Sequence, residues 1–88
     1  MTGQRLDKWL VVARFAKTRE KAAALIESGQ AKANGKRVEK PSHLVRPGDV
    51  LILPRGRDLA LIKVVALAPR RGSAVQARLL YDDLEQAP

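Results

Sequence analysis

Residues 18–38 read TREKAAALIESGQAKANGKRV, and the order of signals in this stretch decides the fold. Thr18 is a good helix N-cap, because its hydroxyl can accept a hydrogen bond from an orphan amide of the first turn. Ala22, Ala23, Leu25 and Ile26 then supply an apolar face at helical spacing. Gly29 can take the left-handed conformation that ends a helix. Asn34-Gly35, between Ala33 and Lys36, is a strong signal for a two-residue type I′ turn, so a β-hairpin follows the helix.

The turn also sets the register. With Asn34-Gly35 as the loop, Ala33 faces Lys36, Lys32 faces Arg37 and Ala31 faces Val38. Strand alternation sends Ala31 and Val38 to the core side and Lys32 and Arg37 together to the outer side. Like charges directly opposite one another destabilise a hairpin slightly. A polyanion lying across both would remove that repulsion; a solvated surface pair is the plainer alternative.

Working outward, 88 residues make one domain, 1–88, with a small core. A hydrophobic content of 45% places the chain among globular proteins. It has no cysteine, which excludes a disulfide framework, a thiolate metal site and a cysteine nucleophile and suits a reducing cytosol. No apolar run approaches a membrane span, and no signal peptide is visible, so the expected location is cytoplasmic. The formal net charge is +8. Residues 1–40 hold ten basic and four acidic side chains, a net of +6, and residues 41–88 hold seven and five, a net of +2. The asymmetry points to nucleic acid or an anionic membrane surface.

Before the opening stretch, Arg5 to Ala16 reads as a first helix. Leu6, Trp9, Leu10, Ala13 and Ala16 share one face, and Val11, Val12 and Phe15 lie on the other. A helix apolar over so much of its circumference does not suit a membrane surface. Met1 to Gln4 reads as a frayed start. After the hairpin, Glu39 to Val45 reads as a loop with a lone, exposed His43. Arg46-Pro47-Gly48-Asp49 reads as a turn, Val50 to Leu53 as a strand stopped by Pro54, and Arg55 to Asp58 as the next turn. Leu59 to Ala68 reads as a further strand and Arg70 to Ser73 as a basic turn. Ala74 to Tyr81 suits either a strand or a helix. Asp82 to Pro88 reads as an acidic end without periodicity.

Catalysis needs groups that accept protons, attack or hold a metal. With one histidine, no cysteine and no nucleotide-binding, metalloprotease or nucleophile-elbow motif, the chain reads as a non-enzyme requiring neither cofactor nor metal. Its aromatic residues are Trp9, Phe15 and Tyr81. Single-strand binders that stack bases on a sheet need several exposed aromatics. Binding would therefore go mainly to phosphates, ribose and RNA shape. A DNA-reading helix pair is the alternative, but its second helix would present Glu20 and Glu27 to phosphates. A protein-interaction module charged only for solubility is a third class.

Arg5-Leu6-Asp7-Lys8-Trp9-Leu10, Thr18-Arg19, Ile26-Glu27-Ser28-Gly29, Asn34-Gly35-Lys36 and Pro47-Gly48-Asp49, in this order and spacing, resemble the S4-type RNA-binding domain, whose core is the αL motif. The resemblance covers about residues 5–53, leaving added strands at about 59–81 and the acidic end at 82–88. It implies an α+β fold in which two packed helices lie against a small twisted, mainly antiparallel sheet of four to five strands. It also implies an RNA surface along the helix pair and the edge of the first hairpin. Carried over by position, the RNA contacts would be Arg5, Lys8, Arg19, Lys32, Asn34, Lys36 and Arg37. Asp7 would orient neighbouring basic groups, and Gly29 and Gly35 would be conformational. Within the family, Asp7 to Leu10, Ala13 to Phe15 and Lys17 to Arg19 are most similar to a heat-shock branch that binds large ribosomal subunits carrying stranded nascent chain and transfer RNA and helps recycle them. Val11 stands where that branch has a second tryptophan, and these 88 residues do not include its basic helical tail. The partners so implied are structured RNA, foremost ribosomal RNA, and the large ribosomal subunit, bound by a monomer with no membrane involved.

Overall fold

Thr18 caps its helix as expected: its Oγ1 accepts a hydrogen bond from the Lys21 amide at 3.1 Å. In the computed structural model, which describes residues 3–84, this helix runs Arg19–Glu27 (α2) and packs against Leu6–Val12 (α1). Met1 and Thr2 of the expected frayed start, and Glu85 to Pro88 of the expected acidic end, lie outside the described residues.

The first helix is shorter than its apolar pattern, which continues to Ala16. The chain leaves the helix at Arg14, which takes a left-handed backbone at φ 66°. The Phe15 amide donates to the Leu10 carbonyl at 2.8 Å and the Arg14 amide to the Val11 carbonyl at 3.0 Å. These paired bonds form a Schellman motif with arginine at the position usually given to glycine. Phe15 and Ala16 still pack on the core, but from a loop. In α2 the same position is Gly29, at φ 85°.

The hairpin has the expected register. Lys32–Ala33 (β2) pairs with Lys36–Arg37 (β3), with Lys32 opposite Arg37 and Ala33 opposite Lys36. Asn34 and Gly35 both have positive φ, 52° and 86°, as a type I′ turn requires. Ala31, Ala33 and Val38 are buried and Lys32 and Arg37 exposed. Leu44–Val45 (β4) pairs with Gln4–Arg5 (β1), so both the frayed start and the 39–45 loop end in a two-residue bridge. The larger sheet continues through Val50–Arg55 (β5), Asp58–Val64 (β6) and Tyr81–Asp83 (β7). Its order is β3-β2-β5-β6-β7, and every pairing is antiparallel.

Three later segments differ from their expected form. Pro54 does not stop β5, which pairs on to Arg55. The strand β2 reaches only Leu51 and Ile52, so Pro54 lies where β5 has a partner on one side alone and no ladder bond is lost. The expected strand 59–68 ends at Val64. Beyond it, Ala74–Arg78 is a short helix (α3), started by a capping box between Ser73 and Gln76, and Asp82 and Asp83 belong to β7 rather than to a tail.

The core lies between α1, α2 and the inner face of the sheet, with Leu6, Trp9, Leu10, Ile26, Leu51, Leu53 and Ile62 wholly buried. Trp9 is a core residue, as its helical position predicts. Its Nε1 donates to the Ala66 carbonyl at 3.0 Å, and its ring meets Phe15 and Tyr81 in one cluster.

Candidate nucleic-acid interface

At the start of α1 sits a buried carboxylate. Asp7 is 4% exposed, and a charge so placed needs partners. The Arg5 guanidinium donates to it through Nε at 3.2 Å and Nη2 at 3.0 Å, the Arg19 Nη2 lies 3.3 Å from Oδ2, and the Lys8 amide donates to Oδ1 at 2.7 Å. Burial alone would raise its pKa. The hydrogen bonds from Arg5, Arg19 and the Lys8 amide, with the charge of Arg19, outweigh burial and hold the carboxyl below its ordinary value. Asp7 thus fixes two arginines whose side chains remain half exposed, at 50% and 52%. An arginine fork bound on one edge still presents donors on the other. The orienting role expected of Asp7 has this geometry behind it.

The hairpin carries a second basic group. Lys32, Lys36 and Arg37 are exposed, and among the described residues none forms an ion pair. Arg37 lies across Gly29: a Cβ on Gly29 would sit 3.3 Å from Arg37 Cδ and 3.4 Å from its Nη1. Gly29 therefore both ends α2 and gives Arg37 its seat. Arg19 and Gly29 stand at opposite ends of α2, about 15 Å apart at 1.5 Å per residue. The cations expected together form two groups, Arg5 with Arg19 and Lys32 with Lys36 and Arg37. Lys8 lies beside Arg5 in an open groove of about 480 Å³, with Leu44 and Ala68 on its walls.

Asn34 is placed differently from the other expected contacts. Its Oδ1 accepts from the Val50 amide at 2.9 Å, and its Nδ2 donates to Asp49 Oδ1 at 3.2 Å. The side chain ties the hairpin tip to the Arg46–Asp49 turn. Asp49 in turn accepts from the Arg46 amide at 3.0 Å.

His43, which the sequence leaves without a role, lies between the two basic groups. Its carbonyl accepts from the Leu6 amide at 2.7 Å at the head of α1, and its exposed residue lines a groove of about 400 Å³ with Asn34, Lys36 and Arg37. Only tertiary closure of the 39–45 loop reveals this placement. The exposed face of α2 carries Glu20 and Glu27, the wrong sign for a helix entering a DNA groove. All three aromatics are engaged in the core cluster, leaving no platform for stacked bases.

Residues 4–51 match the S4 domain. This chain belongs to the S4 domain family. It is 46% identical over 83 residues to a heat shock protein 15 homolog of Haemophilus influenzae, covering 94% of this chain and 63% of that protein. It is 42% identical over 83 residues to heat shock protein 15 of Escherichia coli K12, covering 94% of this chain and 62% of that protein. The chain thus spans under two thirds of these relatives' length. Small ribosomal subunit protein uS4 of Thermodesulfovibrio yellowstonii is 43% identical over 84 residues, which make up 93% of this chain and 40% of that protein. A solved structure of Vibrio cholerae heat shock protein 15, described as trimeric, superposes with a TM-score of 0.87 at 40% identity, covering 92% of this chain and 81% of that one. The S4 domain is a non-catalytic binding domain, and the ribosomal and heat-shock relatives support binding to RNA or ribosomes as its general function. Among the described residues no helix is long and apolar enough to cross a membrane.

Proposed function

We propose that this S4 domain binds structured ribosomal RNA within a large ribosomal subunit, in the cytoplasm, and serves the recycling of stalled subunits. Arg5, Lys8 and Arg19 take phosphates at the head of the helix pair, and Lys32, Lys36 and Arg37 take them along the hairpin. Asn34 serves by holding the hairpin tip. The observation that carries this reading is the direct opposition of Lys32 and Arg37 across β2 and β3, with no carboxylate paired to either among the described residues. Like charges so opposed cost the hairpin a little stability, and an RNA backbone would relieve the repulsion. Binding is assigned to the monomer, so RNA affinity should not change with the oligomeric state of the protein.

Crosslinking the protein to RNA in cells and sequencing the attached fragments tests the reading. Enrichment of large-subunit ribosomal RNA, clustered at one region, is expected. Enrichment of other RNA classes, or an even spread over ribosomal RNA, would overturn it.

A further inference from the structure

Three arginines outside this surface share one loop region. Arg14 sits in the left-handed backbone that ends α1, a conformation costing a non-glycine residue about 1–2 kcal/mol. Its Nε and Nη2 both donate to the Gly72 carbonyl, at 3.2 and 2.9 Å. That contact brings Arg14 beside the exposed Arg70 and Arg71. Among the described residues none of the three pairs with a carboxylate. Glycine at position 14 would end α1 without strain but would give up the two bonds to Gly72, so the arginine holds the end of α1 against the 70–73 turn while its outer edge stays free.

Next to them opens a largely apolar cleft of about 360 Å³, lined by Val12, Ala66, Ala68, Ala77 and Leu80, with Arg70 and Gln76 also on its wall. Ala68 also lines the groove that holds Arg5 and Lys8, and Pro69 lies between that groove and Arg70. The two depressions therefore adjoin at Ala68. Arg14 keeps three unused N–H donors after its bonds to Gly72, and Gln76, whose Oε1 accepts from the Ser73 amide, keeps its side-chain amide donors.

We propose that this second basic surface holds an unpaired RNA segment leaving the structured element, with phosphates on Arg14, Arg70 and Arg71 and one base in the cleft. A base offers a flat apolar face to the alanine and leucine walls and polar edges to Gln76, and the arginine rim selects a polyanion over an apolar protein segment. The inference rests on the RNA reading above and extends the path beyond it.

The test uses the 88-residue chain, a blunt RNA hairpin it binds, the same hairpin with a short single-stranded extension at either end, and an abasic version of the extension. The extension should tighten binding about tenfold. It should also steepen the salt dependence by roughly 0.7 in log–log slope for each added phosphate contact. Arg70→Gln with Arg71→Gln should bind the blunt hairpin within about twofold of the original and lose the gain from the extension. Arg14→Gly should behave likewise. The abasic extension should lose most of the gain. No gain from an extension at either end, equal losses on blunt and extended hairpins, or full gain from the abasic extension would overturn the proposal while leaving the first surface standing. Failure to bind any hairpin would overturn the RNA reading and this extension of it together.

Discussion

Replacing Asp7 by asparagine separates two effects that usually run together. The change removes a negative charge beside Arg5 and Arg19, so long-range attraction for RNA rises. The two guanidinium groups meanwhile lose the charged anchor that aims them. Positioning should win, because a phosphate contact needs a directed donor: Asp7→Asn should weaken RNA binding about fivefold, roughly 1 kcal/mol, and tighter binding would contradict it. The same variant tests the depressed acidity of Asp7. The folded state binds fewer protons than the unfolded chain in the range between the lowered folded pKa and the ordinary one. Asp7 therefore stabilises the fold above the ordinary carboxylate range, and that contribution is lost as pH falls through the folded value. Urea midpoints across acidic pH should fall less steeply for Asp7→Asn, with a cost at neutral pH of about 1–3 kcal/mol. The family resemblance implied an orienting carboxylate at Asp7, but the Arg19 contact spans twelve residues and depends on how α1 crosses α2. Arg14 was equally hidden, since nothing local marks an arginine that will adopt the backbone of glycine.

The hairpin was the most legible element, because Asn34-Gly35 fixes turn, register and faces at once through local backbone chemistry. A Cβ at Gly35 would meet nothing within 4 Å, so the constraint there is conformational rather than steric. Gly35→Asn should cost a few tenths of a kcal/mol and Gly35→Val about 2 kcal/mol or more by urea midpoint, since asparagine tolerates the left-handed region and a β-branched residue does not. Equal costs would show that space, not φ, decides the position. Asn34→Ala should cost about 1–2 kcal/mol, because it leaves the Val50 amide without its acceptor. Hairpin shifts that stay unchanged on that substitution would contradict the tie to Asp49 and Val50. The two-residue strands β1 and β4 could not be read, being too short to show a period and made only when distant segments meet. The identity of residues 74–81 stayed open for a related reason: the Ser73–Gln76 cap makes a helix of 74–78, and pairing with β6 then makes a strand of 81–83.

At the scale of the molecule, basic charge gathers in two groups, at the head of the helix pair and on the hairpin, and the aromatics are spent on the core. Binding should therefore be led by phosphates. If about four to six are neutralised, log K against log salt should fall with a slope of roughly −3 to −5, and a nearly flat response would contradict this. Total charge was legible in the sequence, but its partition was not. Arg55, read from the sequence only as part of a turn, pairs with Asp83 at 2.9 Å and covers the Phe15 ring, so it serves the fold. The central claim is that position, rather than amount, of charge makes the RNA site. It is tested most directly by comparing RNA affinity at one fixed salt concentration for Lys32→Gln with Arg37→Gln against Arg57→Gln with Lys63→Gln. Each pair removes the same charge. Arg57 lies in the β5–β6 turn, and Lys63 faces Asp82 on the far side of β5. The hairpin pair should lose about tenfold or more in affinity while its urea midpoint holds or rises, because the cross-strand repulsion is gone, and the second pair should lose about threefold or less. Equal losses from the two pairs, or unfolding of the hairpin variant, would contradict the account.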